Sequence, residues 1–455
     1  METDFQLVSS ILFFIVGVIG TALYAWRVRK AHFTEPIYQF LFFYALFILP
    51  LPIRTCITEQ AEGDVTEHLP LILPYMPWAV ALCALGLPFF LWGYYGQLAR
   101  WLAGIVSPPK IGKNLRASFL VLTAIALFLL VLLARGSGGL VEFVLLGYGA
   151  TSEMSGRGYL AVGFPWLWVA TFFLLYRYSI HKAKADLVTF WLTAGINTLM
   201  AFIMGQRITI VYFGLAGLIF WHHAIKPISL RKLATLAALT FVSMNLVGFV
   251  RGSGFESFPG FTEKIIESAS NISDESGGYT YTLTTGEFVV PFESLPQMIG
   301  SVGHTVNPQF GATYLRAPIF WIPSSIYPNR PLPLTNWYMQ RFYGGGFRLN
   351  EGRAFFFLAE GYLNFGTLGV LATMFGWGVF LGVCRHYLRT NGRNPGAVLL
   401  YAFTIAFIMR GIAGDFVSVF VGLPEQILSA AILGLWIACR RQFPPLRPSI
   451  KLSVS

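Results

Sequence analysis

Charged residues make up only 12% of this 455-residue chain, and there are four cysteines and five aspartates. So little charge beside 55% hydrophobic residues and a mean hydropathy of +0.62 excludes a water-facing globule and makes lipid the solvent. Four scattered cysteines offer neither a disulfide framework nor a CxxC pair. The aspartates (Asp4, Asp64, Asp186, Asp274 and Asp415) form no DxD metal clamp. Neither GxxxxGK[ST] nor GxGxxG occurs, which argues against nucleotide-driven transport by this chain.

What the sequence has in abundance is long apolar runs. Hydrocarbon offers no hydrogen-bonding partner, so segments of about 20 apolar residues are expected to cross it as helices. The runs lie near 6–26, 37–53, 71–97, 117–134, 159–176, 187–204, 208–224, 231–250, 355–383, 397–422 and 425–439. They predict an all-α integral membrane protein of about eleven transmembrane helices, forming one polytopic domain over residues 1–455. The first run, with no basic segment before it and no small-residue cleavage site after it, is expected to be retained.

The segments between the runs sort by charge. One set carries twenty basic residues, from Arg27, Arg29 and Lys30 through Arg385, Arg389 and Arg393 to the tail, against only Glu35 and Asp186. Its balance is +18; that of the alternate set is −7, together the +11 of the whole chain. The positive-inside rule makes the basic set cytoplasmic, with the N-terminus out and the C-terminus in. The high pI therefore reports topology and no nucleic-acid partner.

On the opposite side the longest segment, 251–353 between the eighth and ninth runs, is of a size usually tied to function. Within it, 260–268 has amphipathic character, 287–299 reads as a helix packed on the bundle or a re-entrant segment, and Pro318, Pro323, Pro328, Pro331 and Pro333 predict a stiff, extended path. Gly344 to Gly346 suit a hinge or a close backbone approach.

The outward arginines are the chemical clue. Arg207 opens a helix after Gly205 and Gln206, Arg251 sits where a run ends, Arg316 and Arg330 are embedded among apolar residues and prolines, and Arg410 interrupts an apolar run, with Asp415 five residues on as a candidate counter-ion. One interfacial arginine is usually a snorkelling anchor; several on one side suit a phosphate-bearing ligand. Arg341, Arg348 and Arg353 read as solvated charges. Candidate general bases are Glu287, Glu293, Glu360, Asp415 and His304, whose spacing forms no triad or paired-carboxylate signature. His222 and His223, at an inner helix end, read as interfacial.

The segments GQRITI from Gly205, VRG from Val250, GEFVVPFESL from Gly286, LRAPIFWIPSSIYPNRP from Leu315, EGYLNFG from Glu360 and RGIAGDF from Arg410 have an order and placement over about two-thirds of the chain that resemble the Wzy-type polymerases of bacterial surface polysaccharide. These include the O-antigen and enterobacterial-common-antigen polymerases. The resemblance implies a GT-C-like glycosyltransferase architecture in the inner membrane; no cofactor is expected, and with no DxD clamp the arginines, not a divalent ion, would take the charge of a departing diphosphate. It implies glycosyl transfer in the periplasm between undecaprenyl-diphosphate-linked glycans, with a chain-length regulator and a flippase as partners. It makes Glu287, Glu293 and Asp415 the catalytic candidates, and Arg207, Arg251, Arg316, Arg330 and Arg410 the diphosphate-binding ones. Tyr314, Trp321, Tyr327, Trp337 and Tyr343 become candidate sugar-stacking aromatics. An O-antigen ligase, or a lipid-linked oligosaccharide flippase or other transporter, remains an alternative.

Overall fold

A computed structural model describes residues 2–57, 69–136, 138–139, 142–143, 158–204, 207–229, 231–232, 235, 290–322, 326–344 and 354–439. Most of these residues are helical, with no strand among them beyond an isolated bridge between Val302 and Val306. Eight helices among them are long and apolar enough to cross a membrane. They match eight of the eleven runs read from the sequence. Of the other three, the fifth forms a 19-residue helix (Gly163–His181) and the seventh a shorter one of Thr209–Ile225, while 231–250 lies almost wholly outside the described residues.

The helices that position the site are α1 (Glu2–Leu23), α2 (Pro36–Ile48), α3 (Met76–Tyr95), α4 (Gln97–Ile105), α5 (Leu115–Arg135), α6 (Gly163–His181), α7 (Lys184–Ile203), α8 (Arg207–Phe220), α9 (Val290–Ser301), α10 (Ala312–Leu315), α11 (Leu334–Phe342), α12 (Phe357–Asn391), α13 (Pro395–Arg410), α14 (Phe416–Phe420) and α15 (Ser429–Cys439). The packing of α3 on α12 is the central seam. Lipid cannot drive two apolar helices together by excluding water, so close backbone contact through small residues takes over. Gly93 of α3 lies against the Phe375 carbonyl, and Gly378 and Gly382 of α12 lie against the Phe90 and Tyr94 carbonyls; a Cβ at any of the three would overlap backbone.

The 35 residues of α12 are not one helix. Phe365 (φ −139°, ψ 19°) and Gly366 (φ 60°, ψ −144°) break it. The arm before the break folds back on the arm after it, so that Gly361 packs directly on Gly369. In a straight helix eight residues rise about 12 Å, which would hold these glycines apart. The elbow corrects the expected run 355–383: the straight arm begins only after Gly366.

The charge partition has a structural counterpart. Glu35 and Asp186, the two acids of the basic set, are both bound by arginines of that set. Arg385 Nε and Arg389 Nη2 reach Glu35 at 2.7 and 2.6 Å, and Arg177 Nη1 reaches Asp186 at 3.2 Å. The same end is closed by Lys113 and Asn114 N–H donating to the Ala438 carbonyl, and by Asn394, whose side chain caps α13 and donates to the Pro109 carbonyl. At the other end Gly300 of α9 sits on the Tyr75 ring and the Trp166 indole donates to the Glu425 carbonyl.

Within the long segment 251–353, residues 251–289, 323–325 and 345–353, including the amphipathic stretch 260–268, lie outside the described residues. The part near 287–299 forms α9, a helix packed on the bundle. The proline-rich part keeps the expected extended path at Pro333 (φ −53°, ψ 148°), ahead of α11, and departs from it at Pro318. Pro318 occupies the first turn of a 3-10 helix, Ala317–Trp321, where a missing N–H costs nothing. Gly344 adopts a positive φ of 80° with open space around it, so it serves a turn and not a close approach.

Candidate functional site

A groove of 540 Å³ opens on the flank of the bundle between α12, α13 and α14. Its walls are almost entirely apolar and aromatic, among them Phe357, Phe365, Trp377, Phe380, Phe416 and Phe420. Two carboxyl groups line it, Glu360 and Asp415, each 1% exposed. Gly376 and Phe380 also line an apolar cavity of 370 Å³ beside α4, which extends the greasy surface along α12.

The elbow of α12 delivers Glu360. In the segment Glu360-Gly361-Tyr362-Leu363-Asn364, glutamate and asparagine stand four residues apart on one helical face. Thr313 Oγ1 donates to Glu360 Oε1 at 2.7 Å, and the Phe416 N–H donates to Glu360 Oε2 at 2.6 Å. Asn364 Nδ2 donates to Thr313 Oγ1 at 2.7 Å and to the Glu360 carbonyl at 2.8 Å, while its Oδ1 accepts from the Gly311 N–H at 2.8 Å. Three distant stretches, around Thr313, Glu360 and Phe416, are thereby tied at one buried point.

Asp415 reaches the groove by a different route. α13 stops at Arg410, a 3-10 turn follows over Gly411–Ala413, and Asp415 becomes the N-cap of α14, its Oδ1 accepting from the Ser418 N–H at 2.9 Å and from the Ser418 hydroxyl. Its Oδ2 is buried with no hydrogen-bond partner among the described residues. A buried carboxylate oxygen without a donor is costly, and a ligand entering the groove could supply the missing group.

Aromatic rings border the carboxylates. Tyr314 meets Phe416 edge-on at 5.3 Å, Phe416 stacks on Phe420 at 5.2 Å, and Trp321 stacks on Phe420 at 5.2 Å. Burial pushes the Tyr314 phenol well up from its ordinary value, and the nearby Glu360 carboxylate pushes it further, so it enters the site protonated.

The residues singled out in the sequence are not all brought together. Asp415 lines the groove; Glu293 does not, and is instead buried on α9, where the Tyr343 hydroxyl donates to it. Glu287 and Arg251 lie outside the described residues, and Arg207 is described only as the first residue of α8. Arg410 does not pair with Asp415: it is exposed, with its guanidinium 5.8 Å from the Phe407 ring, which itself meets the Tyr212 ring of α8 edge-on at 5.7 Å. Arg316 is exposed two residues beyond Tyr314. Arg330 donates through Nη1 to the Ile322 carbonyl at 3.0 Å and the Phe320 carbonyl at 3.4 Å, closing the proline-rich turn. Arg341 is exposed, as a solvated charge should be, and also donates to the Thr305 carbonyl at 2.8 Å.

Sequence reasoning named Glu360 only as one base among several and missed Thr313 and Asn364. The signal it passed over was the polar pair Glu360 and Asn364 at helical spacing in an apolar run. Among the described residues no group of three or more His, Cys, Asp or Glu is placed to hold a metal. Comparison with family models, with curated proteins and with solved structures returns no match for this chain.

Proposed function

We propose that this chain is a Wzy-type polymerase that joins undecaprenyl-diphosphate-linked oligosaccharide repeat units into a surface polysaccharide at the periplasmic face of the bacterial inner membrane. In this reading the bundle has about eleven spans, a GT-C-like architecture, its N-terminus outside and its C-terminus inside. The observation that carries it is the arrangement around the outer end of α13. A carboxylate with an uncommitted oxygen faces an apolar groove on one side, and the exposed guanidinium of Arg410 lies toward α8 on the other.

That arrangement supplies both halves of a glycosyl transfer from a lipid diphosphate. An acceptor hydroxyl oxygen bonds to the donor's anomeric carbon as the bond from that carbon to the diphosphate oxygen breaks. Asp415 takes the hydroxyl proton, acting as general base. The departing diphosphate keeps the electron pair, and Arg410, with Arg316, Arg207 and Arg251, offsets its charge, planar guanidinium being suited to phosphate oxygens. A chain-length regulator and a flippase are the expected protein partners.

The test is genetic. Cells carrying Arg410→Ala, Arg316→Ala or Arg207→Ala, at normal protein level, should make surface glycan capped at one repeat unit, since loss of a donor aimed at developing charge costs roughly 100- to 1000-fold in rate. Arg→Lys should restore polymer in part, and Arg348→Ala should be close to wild type. Full-length polymer from all three alanine variants would assign these arginines to lipid anchoring and defeat the reading.

A further inference from the structure

The end of the bundle that carries the basic set holds an apolar cavity of its own, under α4. By helical register the nine residues of α4 divide into three faces. Ala99 packs on Gly382 of α12, where a Cβ would already meet it. Leu98, Trp101 and Ile105 form a second face and are exposed, Trp101 to 65%. Gln97, Arg100 and Gly104, exposed as well, form the third. A short helix with one packed, one apolar and one polar face suits the plane of a membrane surface, and Trp92, exposed in the last turn of α3, marks the same level.

Beneath α4, Leu102, Ile105 and Val106 face Val379, Phe380 and Val383 of α12 across 370 Å³ of apolar space. From Val383 to Gly376 the cavity follows α12 for about 10 Å, within the roughly 15 Å of hydrocarbon that one leaflet supplies. That length suits the part of an acyl chain next to its head, which then lies at the level of α4. The charge at this level is one-sided. Arg29 lies 4.8 Å and Arg385 4.9 Å from the Tyr95 ring, Arg389 is half exposed, and Arg100 is exposed. Among the described residues Glu35 is the one acid paired with any of these four, and Arg385 and Arg389 share it. Arg100 follows the Ala99 contact, and Arg389 stands two turns beyond Gly382 on the same face of α12, so both border the junction of the two helices.

We propose that the cavity under α4 binds one acyl chain of an anionic phospholipid, whose phosphate is held by Arg100 and Arg389. A zwitterionic lipid would bring its own cation to a corner with three uncompensated positive charges, and a soluble phosphate would leave the apolar cavity unfilled. The site is independent of the polymerase reading: neither arginine and no residue of α4 lines the groove.

The experiment titrates the full-length protein, purified in neutral detergent, with dioleoyl phosphatidylglycerol or dioleoyl phosphatidylcholine and counts bound lipid by native mass spectrometry. Wild type should retain one phosphatidylglycerol in preference to phosphatidylcholine, and excess glycerol 1-phosphate should not displace it. The double variant Arg100→Gln, Arg389→Gln should lose roughly thirtyfold in affinity for phosphatidylglycerol, about fivefold for each guanidinium, with phosphatidylcholine unchanged. Leu102→Trp and Val383→Trp, which fill the cavity from opposite walls, should each weaken phosphatidylglycerol with both arginines in place. Melting curves establish that the variants compared are folded. The proposal is overturned if the double variant binds like wild type, if phosphatidylcholine binds as tightly, or if glycerol 1-phosphate displaces the lipid. It is overturned equally if the folded tryptophan variants keep wild-type affinity, which would reduce the binding to diffuse attraction by surface charge.

Discussion

Glu360 and Asp415 meet through the peptide that follows the aspartate: the Phe416 N–H donates to Glu360 Oε2 at 2.6 Å while Asp415 itself caps the helix that Phe416 begins. One buried side chain thus fixes where another points. Glu360→Ala would leave the Phe416 N–H and the Thr313 hydroxyl without acceptors, at about 1–3 kcal/mol for each unsatisfied group. Glu360→Gln retains one acceptor oxygen and should cost less. Thermal melting of the purified protein should rank wild type above Gln and Gln above Ala; equal melting of Gln and Ala would remove Glu360 from its place as the tie.

The elbow makes its own prediction. Gly366 holds φ 60° with ψ −144°, a conformation nearly restricted to glycine, and Gly369 has no room for a Cβ against the Gly361 carbonyl. Gly366→Ala is expected to destabilise by about 1–3 kcal/mol. Gly369→Val should do more, because the two arms must separate and carry Glu360 away from Phe416. Gly376→Ala, on the same helix with open space at its Cβ, serves as the comparison and should melt like wild type. Melting of all three at one temperature would mean that the fold does not depend on the elbow.

At the opposite end, Arg385 is 7% exposed and relies on Glu35, whereas Arg389 is 51% exposed. Breaking a buried pair from one side leaves an uncompensated charge and costs about 3–5 kcal/mol, while an exposed pair contributes about 0–1 kcal/mol. Glu35→Ala should therefore lower the melting temperature strongly and Arg389→Ala hardly at all. Equal shifts would show that Arg385 finds another partner.

The apolar helices were the most legible property of the sequence, because lipid demands apolar runs, and eight of the eleven runs match helices long and apolar enough to cross a membrane among the described residues. The finding that Glu35 and Asp186 are both consumed by arginines of their own set agrees with the charge partition. The site was legible in part. Asp415 was named, but the pairing of Arg410 with Asp415 assumed a continuous run, and the chain leaves α-helical geometry at Gly411, which swings Asp415 toward α14 and the groove. The partnership of Glu360 with Thr313 and Phe416 depends on the elbow at Gly366, and no local pattern announces how far such a break folds the chain back. Proline position alone likewise failed to separate an extended path from the 3-10 turn that Pro318 begins.

Two exposed native cysteines test the sidedness without any new residue. Cys56 ends the second candidate span and Cys439 the eighth among the described residues, and neither is in a disulfide. In intact spheroplasts a membrane-impermeant maleimide should label Cys56 and spare Cys439 until the membrane is permeabilised. The reverse pattern would place the groove and its carboxylates in the cytoplasm and overturn the site assignment.

The most direct measurement of the central claim is reconstitution. Purified protein in nanodiscs is given undecaprenyl-diphosphate-linked repeat units in excess EDTA, and the lipid-linked products are separated by size. The account predicts a ladder of increasing repeat number, one undecaprenyl diphosphate released for each bond formed, and loss of the ladder in Asp415→Asn. Repeat units that stay single under the wild-type protein, or a ladder that appears only when Mg²⁺ or Mn²⁺ is added back, would contradict it.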